Sequence, residues 1–145
     1  MDMETSTLST YVALDGENIA IQDWPIEKNR RLRGVVMLVH GLGEHAGRYD
    51  HVAKRLNEWG FAVRGYDQYG HGESGGVRGG LPSDRRLLDD LADVMDSTRA
   101  RMDRTTRTVA FQRSSSLRVH SPIWGTRIRA IRSSSGTINT WLTPT

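Results

Sequence analysis

The residues best suited to chemistry lie in two glycine-rich turns. His40-Gly41-Leu42-Gly43 ends the apolar run Val35-Val36-Met37-Leu38-Val39. Glycines placed there let the backbone turn sharply and present bare N–H groups, which is what a developing oxyanion requires. Gly72-Glu73-Ser74-Gly75-Gly76 formally satisfies G-x-S-x-G and so offers Ser74 as a nucleophile. That chemistry needs its serine on a tight strand-to-helix turn. Here the strand residues end near Asp67 and no helix signal begins before Ser83, which argues against Ser74. The chain has no cysteine, which excludes thiolate nucleophiles, thiolate metal sites and disulfides. His40, His45 and His51 are irregularly spaced and short of acids on one face, so no metal site is expected. His40 is instead expected to brace its turn through hydrogen bonds, and His71 to be structural.

The elements that position these turns follow from hydropathy. Five apolar residues in a row bounded by glycine read as a strand buried on both faces, as in a parallel sheet covered by helices. Before it, Tyr11–Leu14, Asp15-Gly16 and Asn18–Trp24 read as a hairpin at a sheet edge. After the first turn, Tyr49, Val52, Ala53, Leu56 and Trp59 recur at helical spacing and Gly60 stands at the helix end. Phe61-Ala62-Val63 starts a second buried strand running to Tyr66-Asp67, which completes a strand–helix–strand unit. Ser83 is a predicted N-cap for a second helix through Leu87, Leu88, Leu91, Val94 and Met95 to about Met102. Asp89, Asp90, Asp93 and Asp96 are expected on its wet face. The architecture predicted is α/β: a mostly parallel sheet with an antiparallel N-terminal hairpin and helices on both faces, followed by an irregular basic tail.

Charge divides the chain. Residues 1–103 carry 13 Lys and Arg against all 17 acids, while residues 104–145 carry seven Arg and no acid. The tail holds seven Ser and eight Thr without amphipathic period, which reads as a solvated, disordered segment or as translation out of frame. Its basic excess carries few interleaved aromatics, so nucleic acid is not an expected partner. No apolar run is long enough to span a bilayer and the N-terminus has no signal-peptide core, so the expected compartment is cytoplasmic.

The His-Gly-x-Gly turn, followed by Glu44-His45-Ala46-Gly47-Arg48-Tyr49 and by Asp67-x-x-Gly70-x-Gly72-x-Ser74, resembles the α/β-hydrolase superfamily. Within it the pattern is similar to the monoacylglycerol lipase and lysophospholipase branch, over Tyr11 to Met102. The resemblance implies acyl ester hydrolysis of a small acyl-ester or lipid substrate without a cofactor. It implies an oxyanion-hole donor at the Leu42 amide, with Gly41 and Gly43 permitting close approach and His40 supporting the turn. Glycine rather than proline at 43 separates the chain from the branches that use an aspartate nucleophile. Ser74 falls on a serine that is not catalytic in the family. The family's nucleophile, acid and histidine should follow the second helix, yet Val109 to Val119 contains no glycine and His120 is the last histidine. The expectation is a truncated α/β-hydrolase domain over 1–103 and an atypical tail over 104–145, inactive for want of a triad and with the sheet's next strand missing. The alternatives are a non-catalytic binding module on this scaffold and a basic-tail interaction protein.

Overall fold

The structure, a computed structural model, describes residues 6–102, 108–114, 127–132 and 138–143. Among the described residues seven strands form one mixed sheet: β1 (Thr7–Val12), β2 (Asn18–Trp24), β3 (Gly34–Val39), β4 (Phe61–Tyr66), β5 (Thr108–Ser114), β6 (Arg127–Arg132) and β7 (Ile138–Thr143). Their spatial order is β1-β2-β4-β3-β5-β7-β6. The heart of the sheet, β4-β3-β5, is parallel, and the pairs on either side of it are antiparallel. The helices are α1 (Asp50–Glu58), entered through a 3-10 turn at Ala46–Tyr49, and α2 (Arg86–Ala100).

All six residues of β3 are buried, because its two faces are both covered. Val36 and Leu38 pack with Trp24, Tyr49, Ala53 and Val63 on the α1 side. Met37 and Val39 pack with Ile19, Ile21, Tyr66, Val94 and Met95 on the α2 side. Alternation along an extended chain sends successive residues to opposite faces, so one apolar run serves two cores.

Several expectations need correction. The first strand lies at Thr7–Val12, N-terminal to the predicted Tyr11–Leu14, and Leu14 is an exposed loop residue. Trp59 is 54 % exposed; it caps α1 and lies under Arg55, outside the buried stripe. α2 starts at Arg86, and Ser83 only closes the turn before it by accepting from the Arg86 N–H. Asp90 is buried, not wet. Arg86, one helical turn earlier, donates from Nε to both its carboxylate oxygens at 2.8 Å and reaches Asp15 in the hairpin loop with Nη1. Asp93 likewise accepts from Tyr11 Oη. The hairpin covers this side of α2, which a period computed along α2 alone does not contain.

The place beside β3 is also filled. β5 pairs with it in parallel, Val36 opposite Val109 and Leu38 opposite Phe111, so the expected unpaired edge is absent. Backbone pairing asks only for extended residues, and Thr108, Val109 and Phe111 are of the types that favour a strand. β7 and β6 continue the sheet from β5. The remaining residues of 104–145, with the disorder or out-of-frame origin expected of them and with His120, lie outside the described residues.

Candidate active site

Val39 of β3 and Tyr66 of β4 are register partners in a parallel pair, so the chain leaves both strands at the same sheet end. That carboxyl-terminal end is where open α/β sheets bind ligands. The two sequence-predicted turns meet there. His40 is 1 % exposed and its Nε2 accepts from the Gln68 backbone N–H at 2.9 Å. A backbone N–H only donates, so Nε2 is unprotonated and Nδ1 carries the hydrogen that is given to the Gly41 carbonyl at 2.8 Å. Burial holds the imidazole pKa below its ordinary value, which agrees with this neutral tautomer. The Gln68 side chain returns a bond from Nε2 to the His40 carbonyl at 2.5 Å, and the His71 ring lies 5.3 Å from the His40 ring.

Gly41 to Glu44 form a type II turn. The Glu44 N–H donates to the Gly41 carbonyl at 3.2 Å and φ is positive only at Gly43, at +71°. The turn has a further closure, because Glu44 Oε2 accepts from the Gly41 N–H at 3.1 Å and from Tyr49 Oη at 2.5 Å. These bonds engage both ends of the His40–Gly41 peptide and the carbonyl end of the Gly41–Leu42 peptide. The fourth group, the Leu42 N–H, has no partner among the described residues. A trans peptide points its N–H opposite its C=O. The two donors on the Gly41 carbonyl therefore fix the direction of the Leu42 N–H. The Leu42 side chain is 90 % exposed beside it.

Ser74 is placed differently. It is 1 % exposed; its Oγ donates to the Asp67 carbonyl at 2.5 Å and accepts from the Ala20 N–H at 2.8 Å. It fastens the glycine-rich loop to β2. Asp67 does the same for the 3-10 turn, accepting from the Ala46 N–H at 2.7 Å through Oδ1 and from the Glu73 N–H at 2.9 Å through Oδ2. His40, Gly41, Leu42 and Gly43 thus form one turn at this sheet end, and Ser74 lies in the glycine-rich loop with its hydroxyl engaged by Ala20 and Asp67. Sequence reasoning missed Gln68 and Asp67 as ties between the turns, and took Tyr49 for a core residue only. The recurrence of polar residues directly after two buried strands was the available signal.

A profile of the serine aminopeptidase S33 family matches residues 30–112, more than half of the chain. The chain belongs to this family. Among members with curated descriptions, this S33-family chain is 40 % identical to a monoacylglycerol lipase of Mycolicibacterium smegmatis over 95 residues, 64 % of this chain and 33 % of that one. It is 44 % identical over 87 residues to an abhydrolase domain-containing protein of Dictyostelium discoideum, covering 60 % of this chain and 9 % of that one. The solved structure of a soluble variant of the Saccharomyces cerevisiae monoglyceride lipase, bound to a substrate analogue, superposes with a TM-score of 0.65. It covers 79 % of this chain and 38 % of that one at 21 % identity, which establishes the α/β-hydrolase fold. The S33-family chain therefore spans a third or less of the length of these curated relatives, and the sequence match lies in its N-terminal part. It is a serine-hydrolase, monoglyceride lipase-like family member, and no helix among the described residues is long and apolar enough to cross a membrane.

Proposed function

We propose that residues 1–103 are the oxyanion-hole side of a serine ester hydrolase acting on acylglycerol-like or other small acyl esters. The Leu42 N–H is the oxyanion donor, Gly41 and Gly43 allow the acyl oxygen to approach it, and His40 supports the turn. The observation that carries this reading is the Leu42 N–H, without a partner among the described residues while the His40 carbonyl and both backbone groups of Gly41 are engaged. One such preorganised donor in a dry cleft contributes about 3 kcal/mol to an acyl-transfer transition state. The monoacylglycerol lipase description of a relative that is 40 % identical supports the substrate class.

The chain by itself lacks the rest of the machinery. Ser74 is a scaffold residue, and the Arg-rich segment 104–145 contributes neither the acid nor the glycine-flanked serine that acyl transfer needs. Residues 1–145 taken alone are accordingly inactive, and segment 104–145 is an atypical basic tail, either natural or translated out of frame.

Two measurements test this. The chain should neither label with a fluorophosphonate probe nor turn over p-nitrophenyl butyrate; turnover abolished by Ser74→Ala would overturn the assignment. Joined to the downstream two-thirds of the mycobacterial lipase, residues 1–102 should give an active esterase. Leu42→Pro, which deletes the donor N–H, should then lower kcat by about 10²–10³ with little change in KM. An unchanged kcat removes Leu42 from the oxyanion hole. The encoding DNA tests the tail directly: a shifted frame near codon 105 should restore G-x-S-x-G followed by Asp and His.

A further inference from the structure

We propose that Glu44 is a positioning residue whose carboxylate clamps the Gly41 N–H and so fixes the peptide that aims the Leu42 N–H. The proposal rests on the oxyanion reading of Leu42 for its function, but the clamp is a separate physical claim.

The geometry is specific. Glu44 closes the turn twice, once through its backbone N–H to the Gly41 carbonyl at 3.2 Å and once through Oε2 to the Gly41 N–H at 3.1 Å. The first bond holds the Gly41–Leu42 peptide and the second the peptide before it, so Gly41 is restrained on both sides. A glycine there would otherwise be the softest link in the turn. The carboxylate is itself anchored. Tyr49 Oη, 7 % exposed as a residue at the end of the 3-10 turn, donates to the same Oε2 at 2.5 Å. Asp67 ties the start of that 3-10 turn to the end of β4 through the Ala46 N–H. The restraint therefore runs from the sheet through Ala46–Tyr49 and Glu44 to Gly41.

The titratable groups facing Glu44 are Arg48 on the 3-10 turn and His40 across the turn, and His40 is in turn faced by Asp67 and His71. The Tyr49 hydroxyl first, then the Gly41 N–H, hold the Glu44 carboxyl below the usual glutamate range. Protonation removes the negative acceptor that both donors use. The clamp is thus present at neutral pH and is released in acid, through a midpoint lower than that of an ordinary glutamate.

The test uses the 145-residue chain labelled with ¹⁵N, with amide shifts, relaxation and hydrogen exchange followed from pH 7 to pH 3. In the unmodified chain the Gly41 and Leu42 amides should titrate together with the Glu44 carboxyl. The Leu42 amide should show the rigid-backbone order parameter of about 0.85 at neutral pH. Glu44→Ala should speed Gly41 exchange roughly tenfold or more, as loss of a charge-assisted bond predicts, and lower the Leu42 order parameter. The Met37 amide in β3 should keep its protection. Glu44→Gln supplies only a neutral acceptor and no titration, so at every pH it should hold Gly41 and Leu42 as loosely as the acid form of the unmodified chain does, and the pH dependence should vanish. Tyr49→Phe should move the midpoint up toward the ordinary value. A rigid Leu42 and unchanged Gly41 exchange in Glu44→Ala overturn the clamp and leave the oxyanion reading intact. A mobile Leu42 amide in the unmodified chain at neutral pH sinks the oxyanion reading instead. If Glu44→Ala does not fold, the titration of the unmodified chain decides: amides that ignore the Glu44 titration overturn the clamp.

Discussion

Ser74→Ala separates a scaffold serine from a nucleophile, because the two roles predict opposite signatures. The substitution removes one oxygen that both accepts from the Ala20 N–H at 2.8 Å and donates to the Asp67 carbonyl at 2.5 Å. Ser74 is 1 % exposed and Ala20 half-buried, so solvent replaces the lost oxygen poorly. An orphaned buried N–H costs about 1–3 kcal/mol, and the carbonyl that loses its donor adds about 1 kcal/mol, for a total near 3 kcal/mol. At about 4 °C per kcal/mol for a domain of this size, the midpoint of thermal unfolding should fall by about 10 °C. Circular dichroism melts and urea titrations measure this, and an unchanged m-value would show that the denatured state is not the cause. Exchange of the Ala20 amide, 54 positions away in sequence, should rise with the global change. A fall of less than about 2 °C would refute the reasoning from buried hydrogen bonds. A serine that reacts with fluorophosphonate and whose loss leaves the melt unchanged would reverse the assignment of Ser74 altogether.

Two further outcomes follow from the turns. Gly76 has φ of +96°, and a Cβ there would run into the Tyr69 ring, so Gly76→Ala should cost about 3 kcal/mol. Gly43→Ala, with φ of +71° and no atom within 4 Å of the added carbon, should cost only the backbone strain of about 1–2 kcal/mol. Equal melting temperatures for the two variants would contradict this ranking. Acid should destabilise the chain in two steps. His40, with its pKa lowered by burial, binds fewer protons folded than unfolded, so its contribution is complete above pH ~6.5 and is lost as pH falls below that value. The slope this single site supplies is at most about 1.4 kcal/mol per pH unit. Glu44, lowered by Tyr49 and Gly41, and Asp50, lowered by Lys54 and Trp24, contribute above their unfolded values near pH 4 and lose this as pH falls through their folded values. Melts from pH 7 to pH 3 check this, and a melting temperature that does not change between pH 7 and pH 5 would count against the His40 assignment.

The sequence by itself determined the parts of this protein that depend on neighbours along the chain. A continuous apolar run specified β3 as buried on both faces, helical spacing specified α1, and glycine after each strand specified the two turns. His-Gly-x-Gly and the Asp67–Ser74 pattern were legible as a family resemblance because each is local and rigidly spaced. Tertiary structure decided whatever depends on which surfaces meet. Asp90 was predicted exposed from the period of its own helix, and it is buried because the hairpin, some 70 residues earlier in sequence, brings Asp15 and Tyr11 against that face. Ser74 matches a nucleophile motif, but only the packing of its loop on β2 makes its hydroxyl a fastening between Ala20 and Asp67. The bonding of the groups around the Leu42 N–H is likewise a tertiary fact. The His40 carbonyl is satisfied by Gln68 and the two backbone groups of Gly41 by Glu44, itself held by Tyr49, and by the His40 ring, which leaves the Leu42 N–H without a partner among the described residues. Periodicity records which side of an element is apolar, whereas the partner that covers it, and the hydrogen bond left unmade, exist only once the chain has folded.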